Sequence, residues 1–128
     1  MKHMLVVDDD PLVAATLQAA LTGSGYRVLL TRSHEQALNE VRSEAWDILI
    51  ADLSPNEGVA LCKAVRGAHP HLVIVALSGG DYPEDLVGHC DSLLRKPVDA
   101  RRLIDTLEQL EFGKVLNNLD PSAQALRW

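Results

Sequence analysis

The stretch "VVDDDP", residues 6–11, sets three carboxylates, Asp8, Asp9 and Asp10, directly behind an apolar run. Two unit charges about 4 Å apart repel by ~1 kcal/mol in water and by ~4 kcal/mol at an effective dielectric of roughly 20. A chain that stacks such charges where a buried strand ends either leaves them in water or provides something positive for them. Three further apolar runs also end in polar side chains: "ILIADLS" in Asp52, "VIVALSGG" in Ser78, and "LLRKP" in Lys96 and Pro97. Asp8, Asp9 and Asp52 are hard oxygen donors of the kind that hold Mg²⁺, an ion usually bound by one or two carboxylates together with phosphate oxygens. A carboxylate is also a competent nucleophile, and an acyl phosphate is one product of its attack. Phosphoryl transfer asks for little beyond positioning and charge stabilisation, which a metal ion and Lys96 can supply. The Ser78 hydroxyl and the backbone amides around Gly79 and Gly80 could receive the remaining phosphoryl oxygen. Asp10 stands apart: with Pro11 behind it, it reads as the N-cap of a helix.

The elements that must position these residues alternate regularly. Apolar runs at residues 4–7, 27–30, 47–51, 72–77 and 92–94 are continuous rather than alternating, as strands covered on both faces are, and so predict a parallel sheet. Helical patterns lie between them. Residues 11–22 carry a stripe of Val13, Leu17, Ala20 and Leu21. Residues 34–43 open on a capping box, Ser33 with Gln36, and repeat Ala37, Leu38 and Val41. Residues 57–66 turn Leu61 and Val65 inward, a short helix is expected at 83–88, and a last one starts at Asp99 and packs through Leu103, Ile104, Leu107 and Leu110. Such alternation predicts an α/β sandwich with helices on both faces. Ligands of open parallel sheets bind beyond the carboxyl ends of the strands, where Asp8, Asp9, Asp52, Ser78 and Lys96 all fall. Residues 1–112 are expected to form the domain. Residues 113–128 form a tail or short helix, with Asp120 and Pro121 placed to start it and Leu126 and Trp128 to pack or meet a partner.

Composition narrows the function classes. The chain has 128 residues, 47% of them hydrophobic and 23% charged, which suits one soluble globular domain. A net charge of −6 offers no footing for nucleic acid, and the nearest basic cluster, Arg101 with Arg102, reads as a solvated helix face. No apolar run approaches the ~20 residues of a membrane span, and the N-terminus lacks a secretory apolar region. Cys62 and Cys90 fall in no CxxC and no metal-ligand spacing, so a reducing cytoplasm is the expected setting. His69 and His71, around Pro70, fall on a loop at the sheet edge away from the acids and read as exposed turn residues.

"VVDDDP", "IADL", "ALSGG" and "LLRKP", in this order and at strand ends, resemble the receiver domain of two-component response regulators over about residues 3–111. The resemblance implies a flavodoxin-like (βα)5 three-layer sandwich with a five-stranded parallel sheet in the order 2-1-3-4-5. It implies that Asp52 accepts a phosphoryl group from a sensor histidine kinase or histidine phosphotransfer protein. Asp9, Asp52 and the backbone carbonyl of Ser54 would bind Mg²⁺, with Asp8 acting partly through water. Lys96 would contact the phosphoryl group, Ser78 would move toward it, and the Lys96–Pro97 bond would be cis. Such a protein turns over no external substrate, although it can hydrolyse its own phosphoryl group. Its readout would be a downstream protein or an output domain absent from these residues, with homodimerisation open to it.

The sequence also departs from the family. Pro55 and Gly58 come early after Asp52, the segment between Ser78 and Lys96 is short, and Leu93 stands where the family carries a rotating Tyr or Phe. Leu93 therefore reads as core, and a hydroxyl–aromatic switch cannot work in its usual form. Two other readings follow. One is a receiver-like binding module that does not respond to phosphorylation. The other is a haloacid-dehalogenase-like phosphatase, with Asp8 as nucleophile and Asp10 as acid/base. Leu12 counts against the latter, because that family usually has Thr or Val there.

Overall fold

Continuous Val, Leu and Ile runs do form strands here. Those ending at Asp8, Asp52 and Ser78 are buried on both faces, while the edge runs at 27–31 and 92–95 are only partly covered, with Leu29 exposed. The computed structural model describes residues 2–52, 55–79 and 88–117. Strands β1 (His3–Asp8), β2 (Arg27–Thr31), β3 (Ile48–Asp52), β4 (Val73–Ser78) and β5 (Ser92–Arg95) pair in parallel in the order β2-β1-β3-β4-β5. The described helices are α1 (Pro11–Gly23), α2 (His34–Ser43), α3 (Pro55–Ala68) and α4 (Ala100–Asn117). Both the fold and the strand order expected from the sequence are found.

Successive side chains of a strand point to opposite faces, and the core divides accordingly. Met4, Val6, Ile48 and Ile50 pack with Leu17 and Leu21 of α1 and Leu103 and Leu107 of α4. Leu5, Val7, Leu49 and Ala51 pack with Ala37 and Val41 of α2 and Leu61 and Val65 of α3. Leu93 is half-buried against this second cluster, as a core residue should be. Cys62 is fully buried there, and burial pushes its thiol up to about 12. No described helix is long and apolar enough to cross a membrane.

The helix ends follow local chemistry. Asp10 Oδ1 accepts from the amides of Leu12 (3.0 Å) and Val13 (3.4 Å), with Pro11 at the first helical position. At the other end Tyr26 N–H bonds to Leu21 O and Gly25 N–H to Thr22 O, with Gly25 at φ 95°. These are the two bonds of a Schellman stop, which needs a left-handed residue. Ser33 caps α2 through the Gln36 amide at 3.1 Å, while Gln36 Oε1 reaches back to the amide of Arg32, one residue before the cap. Asp99 caps α4 through Arg102 N at 2.8 Å.

Several expectations need correction. The buried stripe of α1 is Ala14, Leu17 and Leu21; Val13 is 40% exposed and Ala20 only half-buried. Both stripes satisfy a helical period, and the small Ala14 lets the helix lie close to the sheet while Val13, in the first turn, overhangs its rim. The last helix runs through Gly113 to Asn117, so no break falls at 112/113. His69 is half-buried, its Nε2 lying 2.9 Å from Val41 O and tying the end of α3 to α2. His3 also has partners, tilted against Trp46 at 5.6 Å and 3.3 Å from an Arg27 nitrogen. The helix expected at 83–88 lies outside the described residues except for Gly88, and so does the tail from 118 onward.

The sheet edge away from the acids is closed by side chains. Asp91 N–H donates to Ile74 O (2.8 Å), and Asp91 Oδ2 accepts from Ile74 N (2.7 Å) and from Arg66 Nη2 (2.8 Å). The Arg66 pair is partly solvated and contributes little by itself, but the Ile74 amide belongs to a fully buried residue. Asp91→Ala should therefore lower unfolding stability by about 2 kcal/mol through an orphaned donor. Loss of the Asp10 cap in Asp10→Ala should lower it by about 1 kcal/mol. Urea midpoints at unchanged slope would measure both effects, and equal losses would contradict the distinction drawn between a buried donor and an exposed cap.

Candidate functional site

Parallel pairing brings the C-terminal ends of all strands to one edge. In the β1–β3 register Asp8 stands directly beside Asp52. Their exposures are only 1% and 3%, so two carboxylates are buried side by side. Ser78 ends β4 on the next strand and is buried. Lys96 follows β5, its amide donates to Ser78 O at 2.7 Å, and its ammonium forms an ion pair with Asp52 Oδ1. The Lys96–Pro97 peptide is cis, as expected. Four strands that are neighbours in space thus contribute Asp8, Asp52, Ser78 and Lys96 to one rim.

The electrostatics of this rim are incomplete by themselves. Asp8 Oδ1 accepts the Asp10 amide at 2.9 Å, yet Asp8 Oδ2 and Asp52 Oδ2 are buried with no hydrogen-bond partner among the described residues. Buried polar atoms are nearly always satisfied, and a buried carboxylate oxygen without a partner is costly. Burial raises the Asp8 carboxyl from its ordinary 3.8 to about 6; Asp52 beside it pushes the same way, while the Asp10 amide and Lys96 pull it down. Lys96 alone therefore does not balance the pair. A hard dication fits two unsatisfied carboxylate oxygens at neighbouring strand ends.

Asp9 is exposed and joins no cluster of three metal-ligating side chains among the described residues. Ser54 and Gly80 lie outside the described residues. Asp10 is engaged in capping α1, which removes the acid/base that a phosphatase reading requires. What sequence reasoning missed is the apolar rim beside Lys96, where Val13, Pro97 and Val98 line one cavity. Val13 carried the signal, since it sits in the first turn of α1, beyond the point where β1 ends.

Comparison with known proteins agrees with this arrangement. The family profile of the response regulator receiver domain matches residues 4–108. The transcriptional regulatory protein ZraR of Salmonella typhimurium is 35% identical over 113 aligned positions, an alignment that covers 83% of this chain and 25% of that protein. The chain thus spans about a quarter of the length of this relative. A CheY-like receiver domain from Methanospirillum hungatei superposes with a TM-score of 0.79 at 23% identity, covering 85% of this chain and 92% of that one. A CheY-like receiver domain from Methylobacillus flagellatus does so with a TM-score of 0.77 at 27% identity, covering 85% and 98%. With the sheet order, the paired carboxylates and the Lys-Pro turn all in place, the chain belongs to the response regulator receiver domain family of two-component systems.

Proposed function

We propose that this receiver domain accepts a phosphoryl group on Asp52, with Mg²⁺ held at the same rim, and switches protein contacts in response. The observation that supports it most is the buried Asp8–Asp52 pair, which leaves one oxygen of each unsatisfied beside Lys96. Asp8 and Asp52 would hold the ion, with Asp9 and the Ser54 carbonyl completing its shell; bound there, it neutralises the incoming phosphoryl charge. One Asp52 carboxylate oxygen is the nucleophile while the other faces the ion; in the unphosphorylated domain Lys96 pairs with Oδ1. Lys96 then has a phosphoryl oxygen to bind in place of the free carboxylate, and the Ser78 hydroxyl takes another. The donor is a sensor histidine kinase or histidine phosphotransfer protein. The readout is a downstream protein or an output domain outside these residues; the name of ZraR makes transcriptional output one such possibility. Leu93, half-buried against the core, offers no rotating aromatic, so the signal leaves through the backbone around Ser78 and Lys96.

Two measurements test this reading. Intact mass after incubation with Mg²⁺ and acetyl phosphate should show one base-labile phosphoryl adduct on the wild type and none on Asp52→Asn. An adduct that persists in Asp52→Asn would move the nucleophile to Asp8 and support the phosphatase alternative. No adduct on either would favour a binding module.

The second measurement concerns Asp8. Its folded-state pKa lies above its ordinary value, so without metal the folded chain holds the proton more tightly than the unfolded one. The group's contribution is then fullest below pH ~4 and is lost as pH rises to about 6. Asp8→Asn should therefore stabilise the metal-free protein at pH 7.5 by about 1–2 kcal/mol, and much less near pH 4. The same variant should lose most of the stabilisation that Mg²⁺ gives the wild type, a gain that itself fades below pH ~6 as protons compete with the ion. Thermal unfolding with and without Mg²⁺ at the two pH values reads both effects, and an Asp8→Asn protein that Mg²⁺ still stabilises fully would exclude Asp8 from the metal shell.

A further inference from the structure

The sheet edge away from the acids holds a cavity of about 320 Å³, between the C-terminal half of α4 and the loop that leads into β4. Gln109, Leu110 and Gly113 form one wall, and Pro70 and Leu72 form the other. The two charges in the lining, Arg66 and Asp91, are paired with each other at 2.8 Å. Arg66 Nη1 also donates to Pro70 O at 3.0 Å and to Leu72 O at 2.8 Å, so this cation is already engaged. A Cβ on Gly113 would meet nothing within 4 Å, which leaves open space over the helix at that point. Phe112 beside it is 63% exposed. None of these residues belongs to the rim of Asp8, Asp52, Ser78 and Lys96, so the cavity has no part in the phosphoryl chemistry.

We propose that residues 118–128 of the same chain fold back into this cavity, seating Leu126 and Trp128 there and strapping the end of α4 to the loop before β4. The segment leaves α4 at Asn117, about one helical turn beyond Gly113, and so starts beside the cavity. Fully extended, residues 118–128 span up to about 36 Å, against the roughly 6 Å that separates Asn117 from Gly113 along the helix. Pro121 disfavours helical backbone at Asp120, so the sequence itself provides for leaving the axis of α4. Leu126 and Trp128 are two residues apart, which in an extended segment puts them on one side and Arg127 on the other. Both apolar groups then enter the cavity and the cation stays in water. A buried indole N–H needs an acceptor, and the Pro70 and Leu72 carbonyls, each with a second lone pair, stand in the wall to provide it. A lining whose charges cancel suits this occupant better than an ionic ligand.

The test labels the full chain with 5-fluorotryptophan and follows Trp128 by fluorine NMR, its resonance assigned with Trp128→Phe and Trp46 serving as an internal reference. The shift of the Trp128 resonance between H2O and D2O reads its contact with solvent. Docking predicts a solvent shift well below the value in urea, unchanged on dilution, and restored to that value in Gly113→Gln and Gln109→Arg. The first variant fills the cavity from a position that favours helix, and the second changes an exposed wall residue, so both leave the core intact. Trp128→Ser should also lower the thermal midpoint of the full chain by about 4 °C. A urea-like solvent shift in the native wild type overturns the proposal. So does protection that survives in both variants, which would place Trp128 elsewhere, and so does protection lost on dilution, which would give the cavity to a second copy of the chain.

Discussion

Two carboxylates buried side by side are the constraint on which the rest of this structure depends. Asp8 and Asp52 are register partners on adjacent strands, nearly inaccessible to solvent, and one oxygen of each lacks a partner. Left to itself the pair would take up a proton or push its strands apart, and the raised Asp8 carboxyl shows the first of these tendencies. The strands cannot separate, because their remaining residues are closely packed between two layers of helices. The strain is therefore expressed as affinity for positive charge. Lys96 supplies part of it from beyond β5.

Only a parallel sheet of this order makes that concentration of charge available. With β1, β3, β4 and β5 adjacent and pointing the same way, residues far apart in sequence end at one rim. The contrast with the opposite edge is instructive. There the polar groups of His3, Asp47, Arg66 and Asp91 are engaged in hydrogen bonds at the strand starts, and His69 ties the end of α3 to α2. At that edge the polar groups are satisfied and stabilise the domain; at the carboxyl edge one oxygen of each buried carboxylate is not. Local rules are relaxed where function is placed, and at the carboxyl edge Asp8 Oδ2 and Asp52 Oδ2 are buried without a partner among the described residues, as Glu111 Oε1 is on α4.

Legibility from the sequence followed the range of the interactions. The Asp10 cap and the Ser33–Gln36 pair are set within a few residues, and both were readable, apart from Gln36 reaching Arg32 rather than Ser33. The central strands were readable because burial on both faces demands unbroken apolar runs. Val13 was misread because two stripes on α1 satisfy the same period, and only the position of the sheet beneath decides between them. His69 was misread as exposed because its partner, the Val41 carbonyl, lies on another helix. The role of Asp91 left no trace, since one carboxylate ahead of a strand is an ordinary turn residue until the Ile74 amide is seen facing it.

The sequence by itself determined the alternation of strands and helices, the main helix caps, and the types of side chain that end each strand. These depend on local hydrogen bonding and on the need to bury apolar runs, both written in consecutive residues. Only the tertiary structure decided that Asp8 and Asp52 share one buried step of the sheet, that Lys96 reaches just one oxygen of that pair, and that Val13 faces a cavity rather than the core. Those outcomes depend on strand register and on the tilt of α1 over the sheet, which are set by long-range packing and by no single stretch of the chain.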